Sequence, residues 1–311
     1  MSYAKILSSS LKKFQFKHTL FIVCMDEKVY NELQLNPIPS SIIYAHQELV
    51  AFRPELKEVQ KERTKAEYFF TCSAQICDFV LRSNSDIDIL NYVDADLCFF
   101  SSLEPLFEEL GSASIGIIPH HFHWTNKSKE KYGKFNVGWI SFRNDSEGRK
   151  CIKDWAKDCI KWCFQKLENG YYADQKYLNY WPEKYKNIQI LKHKGANLAI
   201  WNVKRFQLQM NEGQIFVDGQ PLIFYHFAGL KQIGQTQFKT HLSNYYVSLK
   251  GLLKEKIYKP YLERVLEYQI TGMVVFVKEK KNHPNLVNLF LKSLNKIRSI
   301  LYKDIIEINL K

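Results

Sequence analysis

The sequence predicts an α/β protein with a mostly parallel sheet flanked by helices, followed by a basic helical extension at the C-terminus. Short apolar runs alternate with amphipathic stretches along residues 1–249, and such alternation is typical of parallel sheets covered by helices. The chain is 46% hydrophobic and 14% aromatic, which is enough for a substantial core. Residues 250–311 are more basic than the rest. We therefore expect one large domain over 1–249 and a tail over 250–311.

The predicted strands are apolar runs that end at acidic or turn-forming residues. They cover residues 19–26, 41–45, 89–93, 114–118, 137–142, 188–191 and 222–227. The predicted helices have apolar residues at helical spacing and cover residues 55–82, 104–110, 146–168 and 171–180. Ser101 with Glu104 fits a capping box for the second of these helices, and Pro182 follows the last one.

Two carboxylates, Asp94 and Asp96, are set into the most hydrophobic run of the chain, residues 89–100, directly after the predicted strand 89–93. Ionised carboxylates are costly to bury unless they are paired or hold a metal. Side chains at positions i and i+2 of a strand point the same way, and ligands of open α/β sheets bind beyond the carboxyl ends of strands. This pattern predicts a site for a hard divalent cation, Mg²⁺ or Mn²⁺.

The charge and the cysteines limit the classes of partner and compartment. The net charge of +12 favours phosphate-bearing partners: nucleic acid, an anionic membrane or a phosphorylated substrate. We find no recognised nucleic-acid motif, so nucleic acid is not an expected partner. The seven cysteines include no Cys-x-x-Cys pair, which indicates reduced thiols in a cytoplasmic protein. No apolar run reaches the roughly 20 residues that cross a bilayer.

The predicted tail combines positive charge with an apolar stripe. From Lys250 to Lys311 there are 13 Lys and Arg against 6 Asp and Glu, a net charge of +7. A helix beginning at Pro284 would place five apolar side chains on one face: Leu286, Phe290, Leu294, Ile297 and Leu301. Two interpretations remain open: a helix lying on the cytoplasmic face of an anionic membrane, or a basic helix packed on its own domain.

Four segments occur in the order found in GT-A-fold glycosyltransferases, particularly family 8 and related nucleotide-sugar transferases, and each resembles a segment of that family. They are "YVDADLCFF" (92–100), "KFNVGWISF" (134–142), "YYADQKYLN" (171–179) and "YHFAGLK" (225–231). The resemblance spans residues 92–231, about half of the chain, and does not include the tail. It implies a GT-A fold and transfer of a sugar from a nucleotide diphosphate.

The resemblance also implies roles for individual residues. The expected ligands of Mn²⁺ or Mg²⁺ are Asp94, Asp96 and His226. The expected contacts to the nucleotide and its diphosphate are Ala95, Gly229, Lys231 and Arg63. Asn136 and Asp174 would bind the donor sugar, and Gln175 with Asp174 would lie near the reacting carbon. From the loop "PHHFHW" (119–124), His120 and His121 are expected on the acceptor side.

Three positions depart from the family pattern. Lys231 stands five residues after His226, where the family lysine usually stands six after the histidine, and Pro-Trp does not follow it. Val137 replaces a small polar residue. The helix near Met1 resembles the first helix of the fold, so the strand that normally precedes it is missing. We expect either a translation start upstream or a pocket that lacks this wall.

The resulting expectation is an enzyme that transfers a hexose from a UDP-sugar to a hydroxyl of a glycan or lipid-linked acceptor, with retention of configuration. Three alternatives remain. An inverting transferase of the same fold would need a general base such as Asp174. A nucleotidyltransferase would use the carboxylate pair and release pyrophosphate. A non-catalytic basic adaptor would bind a membrane or nucleic acid.

Overall fold

The computed structural model describes residues 1–270 and 295–309. Within these residues the α-helices are α1 (Ser2–Lys12), α2 (Glu27–Leu35), α3 (His46–Phe52), α4 (Leu56–Glu62), α5 (Lys65–Ser83), α6 (Glu104–Leu110), α7 (Ser146–Lys161), α8 (Trp181–Lys184) and α9 (Lys259–Ile270). Short 3-10 helices cover Trp124–Tyr132, Lys176–Tyr180, Val203–Arg205 and Leu242–Tyr245, and a π-helical turn, Leu253–Tyr258, leads into α9. Residues 295–301 are also helical. No helix of the described ranges is long and apolar enough to span a membrane.

The strands of the described residues form five sheets. They are β1 (Leu20–Cys24), β2 (Ser41–Ala45), β3 (Ile89–Val93), β4 (Leu97–Phe99), β5 (Ile115–Pro119), β6 (Phe135–Arg143), β7 (Ile188–Ile190), β8 (Leu198–Ala199), β9 (Leu208–Asn211), β10 (Gln214–Val217), β11 (Gln220–Pro221), β12 (Phe224–His226), β13 (Lys231–Gln232), β14 (Gln237–Lys239) and β15 (Ile305–Glu307). The sheet orders are β1-β2, β3-β6-β5-β7, β4-β12-β8, β11-β10-β9 and β13-β14-β15. The α/β class is confirmed.

The sheets are less parallel than the sequence predicts. In the four-stranded sheet β6 runs antiparallel to both β3 and β5, whereas β5 and β7 are parallel. The expectation assumed a crossover helix between successive strands. Between β5 and β6 the chain instead forms only the 3-10 helix Trp124–Tyr132, and a connection that does not cross the sheet brings the next strand back antiparallel.

Two sheets meet where β3 gives way to β4. β3 belongs to the four-stranded sheet, which α5 and α7 cover through a shared apolar core. β4 belongs to the sheet β4-β12-β8, in which β12 runs antiparallel to β4 with His226 opposite Leu97. The three residues between β3 and β4 therefore connect the two sheets, and they include both acidic residues singled out above.

β1 and β3 line a common cavity of about 1940 Å³. Consecutive residues of each strand, 20–23 and 89–93, face the cavity. Because successive side chains alternate between the faces of a strand, the cavity must run along the edges of β1 and β3. Among the described strands, β1 pairs only with β2 and β3 only with β6. The expectation of a missing first strand concerns this part of the fold and stays a prediction.

The first part of the predicted tail packs in the same core as the residues before 249. Tyr258 and Tyr261 are buried; the Tyr258 hydroxyl lies 3.1 Å from that of Tyr225, and the Tyr261 ring stacks on Phe227 with centroids 3.6 Å apart. Further along, β15 pairs with β14. Residues 250–270 thus pack against β12 and the residue after it, and residues 305–307 add a strand beside β14. The division of the chain at residue 250 stays a prediction.

The predicted apolar stripe is only partly described. Leu286, Phe290 and Leu294 lie outside the described residues. Ile297 and Leu301 are 55% and 71% exposed, and Ile300 beside them is 69% exposed.

Two local predictions differ in detail. Ser101 does not cap α6, since its hydroxyl donates to the Leu222 carbonyl, and the Ser102 hydroxyl instead accepts the Glu104 N–H. Pro182 does not end a helix but occupies the first turn of α8, where a proline costs no intrahelical hydrogen bond.

The region around Arg63 differs from the sequence prediction. One helix was expected over residues 55–82, with Arg63 directed at the donor. The chain is extended at Arg63, between α4 and α5, and Thr64 caps α5. The Arg63 guanidinium is buried and donates to the carbonyl oxygens of Cys159 and Ile160 at 2.7 and 2.6 Å. These carbonyls belong to the last turn of α7, so Arg63 satisfies the end of that helix at Lys161 rather than 168. It does not line the cavity.

We expect Arg63→Met to lower the free energy of unfolding by about 2–4 kcal/mol, because two buried carbonyls lose a charged donor. Urea unfolding measures the change. Arg63→Lys, which restores one donor, should recover part of the loss. Arg149→Met, at an exposed position of α7, should change the free energy of unfolding by less than about 0.5 kcal/mol. Equal stability of Arg63→Met and the parent protein would contradict the capping role.

Candidate active site

The turn between β3 and β4 holds the two carboxylates in fixed positions. The Asp94 N–H donates to the Gly138 carbonyl at 3.1 Å, and the Leu97 N–H donates back to the Asp94 carbonyl at 3.2 Å. The Asp96 carbonyl accepts the Phe227 N–H at 3.0 Å. The backbone of the turn is therefore bonded to β6 on one side and to the end of β12 on the other.

His226, the last residue of β12, brings its ring to the two carboxylates. Its Nε2 lies 3.1 Å from an Asp96 carboxylate oxygen and 3.6 Å from one of Asp94. One ligand atom from each of the three residues can be chosen so that all lie within 4.8 Å of one another. The three residues predicted as metal ligands are thus brought together, although they come from distant parts of the chain.

The donor set fits a small divalent cation. Neighbouring ligands of an octahedral ion with bonds of about 2.0–2.1 Å lie about 3 Å apart, close to the separations of His226 from Asp96 and Asp94. Two carboxylates and an imidazole suit Mn²⁺ and Mg²⁺, with the imidazole favouring Mn²⁺. Ligation by these residues stays a prediction.

Burial and mutual charge shift the pKa values at this cluster. Burial raises the pKa of Asp94, and the Asp96 charge adds to the rise, although the Tyr92 hydroxyl donates to Asp94 at 3.1 Å. Burial alone would lower the pKa of His226, but the Asp96 and Asp94 carboxylates outweigh it and raise that pKa. Negative charge is therefore concentrated in a poorly solvated place, which a bound cation would relieve.

Asn136, on β6, lies beside the ring of His226, the last residue of β12. Its Oδ1 is 3.3 Å from His226 Nδ1, and its Nδ2 is 3.3 Å from His120 Nε2. Both Asn136 and His120 are buried and line the cavity. Burial lowers the pKa of His120 to about 3, so its ring is neutral at physiological pH. The structure places Asn136 at the His226 ring as well as at the cavity wall.

His121 does not share the position of His120. Its ring lies edge-on to Phe206, with centroids 6.3 Å apart, and it does not line the cavity. Burial lowers the pKa of His121 to about 4. Its backbone φ of +52° turns the chain after His120, which sends the two neighbouring side chains apart. The expectation that both histidines face the acceptor is therefore corrected for His121.

Asp174 and Gln175 both line the cavity. Asp174 is buried, and burial together with the Asp94 charge raises its pKa to about 7. Gln175 donates from Nε2 to the Tyr132 carbonyl at 3.1 Å. The two side chains are thus held by the protein at the wall of the same cavity as the carboxylates of the turn.

Of the residues expected at the diphosphate, Ala95 and Gly229 line the cavity. Ala95, between the carboxylates, is exposed. Gly229 has φ of +72°, a conformation that favours glycine. Lys231 begins β13, two residues further on, and is exposed. It is not among the residues that line the cavity.

Sequence reasoning did not single out three residues that shape the cluster: Tyr92, Gly138 and Trp201. Tyr92 and Gly138 lie in segments that resemble the glycosyltransferase family, so their places in those segments could have identified them. Trp201 is buried and meets the His226 ring edge-on, with centroids 5.2 Å apart and planes at 82°. No pattern around Trp201 indicated this contact.

Comparison with known proteins identifies two relatives and several proteins of similar fold. No protein-family model matches the chain. It is similar to the galactosyltransferase LgtC in complex with donor and acceptor sugar analogues (14% identity, 73% of this chain, 83% of that chain, TM-score 0.46) and to a Q189E variant of LgtC (13%, 88%, 93%, 0.49). It is also similar to mouse xyloside xylosyltransferase 1 (14%, 73%, 92%, 0.42).

The sequence relatives come from Bacillus subtilis (strain 168). The chain is 31% identical to YfnD over 246 residues, which are 78% of this chain and 78% of YfnD. It is 30% identical to YfnF over 250 residues, which are 76% of this chain and 80% of YfnF. At this identity and coverage, the chain belongs to the family of YfnD and YfnF.

Proposed function

We propose that the protein is a metal-dependent glycosyltransferase that moves a hexose from a UDP-sugar to a hydroxyl of a glycan or lipid-linked acceptor, with retention of configuration. The observation that carries this proposal is the cluster of Asp94, Asp96 and His226, whose ligand atoms lie within 4.8 Å at the wall of a cavity of about 1940 Å³. The cavity is ample for a nucleotide sugar and part of an acceptor.

Asp94, Asp96 and His226 would hold Mn²⁺ or Mg²⁺, which neutralises the charge that develops on a leaving diphosphate. Ala95 and Gly229 present backbone at the cavity, where a diphosphate could approach it closely. Lys231 would supply a positive charge to the same group. Arg63 has no part in this proposal, because its guanidinium is bonded to α7.

Asn136, Asp174 and Gln175 would orient the donor sugar. All three line the cavity, and Gln175 is fixed by its bond to the Tyr132 carbonyl. In a retaining front-face displacement, the acceptor hydroxyl attacks from the side on which the diphosphate leaves, and the diphosphate takes the proton. The protein then acts chiefly by positioning and by charge neutralisation.

The three alternatives differ from the proposal in the product released, in the use of the ligating groups or in the role of Asp174. A nucleotidyltransferase would also use the carboxylates, but it would release pyrophosphate. A non-catalytic adaptor would leave three close ligating groups in a cavity without a role. An inverting transferase would use Asp174 as a base, and the raised pKa of about 7 suits that task, so this alternative needs its own test.

We expect UDP release from one of a panel of UDP-sugars to depend on Mn²⁺ or Mg²⁺ and to stop when EDTA is present. Asp96→Asn should lower the rate by at least about 100-fold, since a neutral amide is a poor ligand for a hard cation. Asp218→Asn, at a partly exposed carboxylate bonded to Lys194, serves as the matched control and should leave the rate unchanged. Full activity in EDTA, or pyrophosphate as product, would refute the proposal.

A separate prediction concerns stereochemistry. The anomeric signal of the product in ¹H NMR should show the configuration of the donor. Asp174→Asn should then reduce the rate only about tenfold, because the amide keeps the shape of a positioning group. Inversion at the anomeric carbon, with a loss of about 10²–10⁴-fold in Asp174→Asn, would instead identify Asp174 as a general base.

We also propose that the protein attaches reversibly to an anionic membrane surface, where a lipid-linked acceptor would be found. Four apolar side chains near the C-terminus are at least half exposed: Ile297, Ile300, Leu301 and Ile305. Lys296 and Lys303 are exposed beside them. Apolar side chains flanked by lysines suit the interface of an anionic bilayer, where each basic residue contributes about 1 kcal/mol.

For the membrane proposal, we expect the full chain to co-sediment with vesicles containing phosphatidylserine and to be released as the salt concentration rises. The double substitution Ile300→Glu with Leu301→Glu should weaken binding at least about tenfold, because it buries charge in the interface. Leu35→Glu, at an apolar side chain that is 80% exposed on α2, is the control. Equal binding of the double variant and the parent protein would rule out this surface.

A further inference from the structure

We propose that Asn136, Gly138 and Trp201 form a positioning shell that fixes the His226 ring so that Nε2, and not Nδ1, faces the carboxylate cluster. The inference rests on the proposed metal site and deepens it. It assigns Asn136 a role beyond the donor-sugar contact that the sequence resemblance implies. The three residues come from β6 and from the segment after β8, and all three approach the same ring.

The hydrogen bonds of Asn136 determine which nitrogen of His226 faces the carboxylates. Asn136 Oδ1 lies 3.1 Å from the Gly138 N–H and 3.3 Å from His226 Nδ1. The Gly138 N–H can only donate, so the atom facing it must be the amide oxygen. That oxygen accepts from His226 Nδ1, so Nδ1 carries a proton. Nε2 is the nitrogen left for the cluster, and it faces Asp96 and Asp94.

The other half of the amide supports this orientation. Asn136 Nδ2 lies 3.3 Å from His120 Nε2, and an amide NH₂ can only donate. His120 is neutral, since burial lowers its pKa to about 3, and its Nε2 can accept. Asn202 Nδ2 donates to the His120 carbonyl at 2.9 Å, which holds the backbone of that residue. An exchanged amide would set NH₂ against the Gly138 N–H.

Gly138 leaves the space in which the two side chains meet. A Cβ at this position would lie 2.6 Å from Asn136 Oδ1 and 2.6 Å from both Nδ1 and Cε1 of His226. Carbon atoms do not approach that closely, so any side chain here would displace the amide, the imidazole or both. Gly138 also provides the carbonyl that accepts the Asp94 N–H. One residue of β6 thus contacts both sides of the cluster.

Trp201 closes the remaining side of the ring. It is buried and meets His226 edge-on, and it meets His120 in a similar way with centroids 5.2 Å apart and planes at 71°. An imidazole held by packing and by a hydrogen bond to its other nitrogen loses little freedom when it binds a metal. Such partners of a ligating histidine typically change metal affinity by 10–100-fold.

The test compares two variants of the shell with a matched glycine. Gly138→Ala should displace the His226 ring, and Asn136→Leu should remove the acceptor at Nδ1 while keeping the size of the side chain. Gly116→Ala, on the adjacent strand β5, also crowds a buried side chain, with its Cβ 2.8 Å from Leu110 Cδ1. It lies away from His226 and controls for general strain in this sheet.

Mn²⁺ binding to the full chain, measured by isothermal titration calorimetry, should weaken 10–100-fold in both shell variants and remain unchanged in Gly116→Ala. In the parent protein, long-range ¹H–¹⁵N NMR should show a proton on Nδ1 of His226. Unchanged Mn²⁺ affinity in both shell variants, or an Nδ1 without a proton in the parent, would overturn the inference.

These outcomes are distinguishable from failure of the proposed function. If the parent protein binds no Mn²⁺ or Mg²⁺, the metal-dependent transferase is wrong, and the NMR measurement still decides whether Nδ1 of His226 donates to Asn136. If the parent binds Mn²⁺ and the shell variants bind it equally well, the metal site stands and the positioning role is wrong. Should Gly138→Ala fail to fold, Asn136→Leu carries the comparison.

Discussion

The passage of the chain from one sheet to the next at residues 94–96 is the constraint on which the rest of the site depends. β3 is held in the four-stranded sheet by β6, and β4 is held in the second sheet by β12. The turn between them is short, so its carboxylates have little freedom to move away from the junction. His226 stands opposite Leu97, the residue after the turn, and strand pairing alone therefore delivers an imidazole to the carboxylates.

The same junction explains why several buried polar groups occur together. At the meeting of two apolar cores the charged form of Asp94 is disfavoured, and burial raises its pKa. The surrounding polar side chains, Tyr92, His226 and Asn136, compensate in part by hydrogen bonds. A protein has little reason to maintain such an arrangement for stability alone, because apolar residues would pack there at lower cost. The arrangement agrees with the proposed cation site.

The strands at 20–24, 41–45 and 89–93 could be predicted because apolar runs bounded by turn residues are a local signal. Asp94, Asp96 and His226 could be grouped because each belongs to a recognisable segment. Arg63 could not be placed, since its partners are carbonyls of residues 159 and 160, almost a hundred positions away. The antiparallel course of β6 depended on the conformation of the segment before it, which its polar composition did not reveal.

The contacts of Asn136 show how a recognised motif can hide a second role. The resemblance assigns Asn136, near the start of β6, to the donor sugar, and the residue lines the cavity. Its amide nevertheless has an oxygen that accepts and an NH₂ that donates. The oxygen faces the Gly138 N–H and His226, and the NH₂ faces His120. Because the glycine N–H settles which atom is the oxygen, the orientation of the amide determines that Nδ1 of His226 donates to Asn136. The Gly138 N–H on β6 thus fixes the orientation of the Asn136 amide, and the amide fixes which nitrogen of His226 faces the carboxylates.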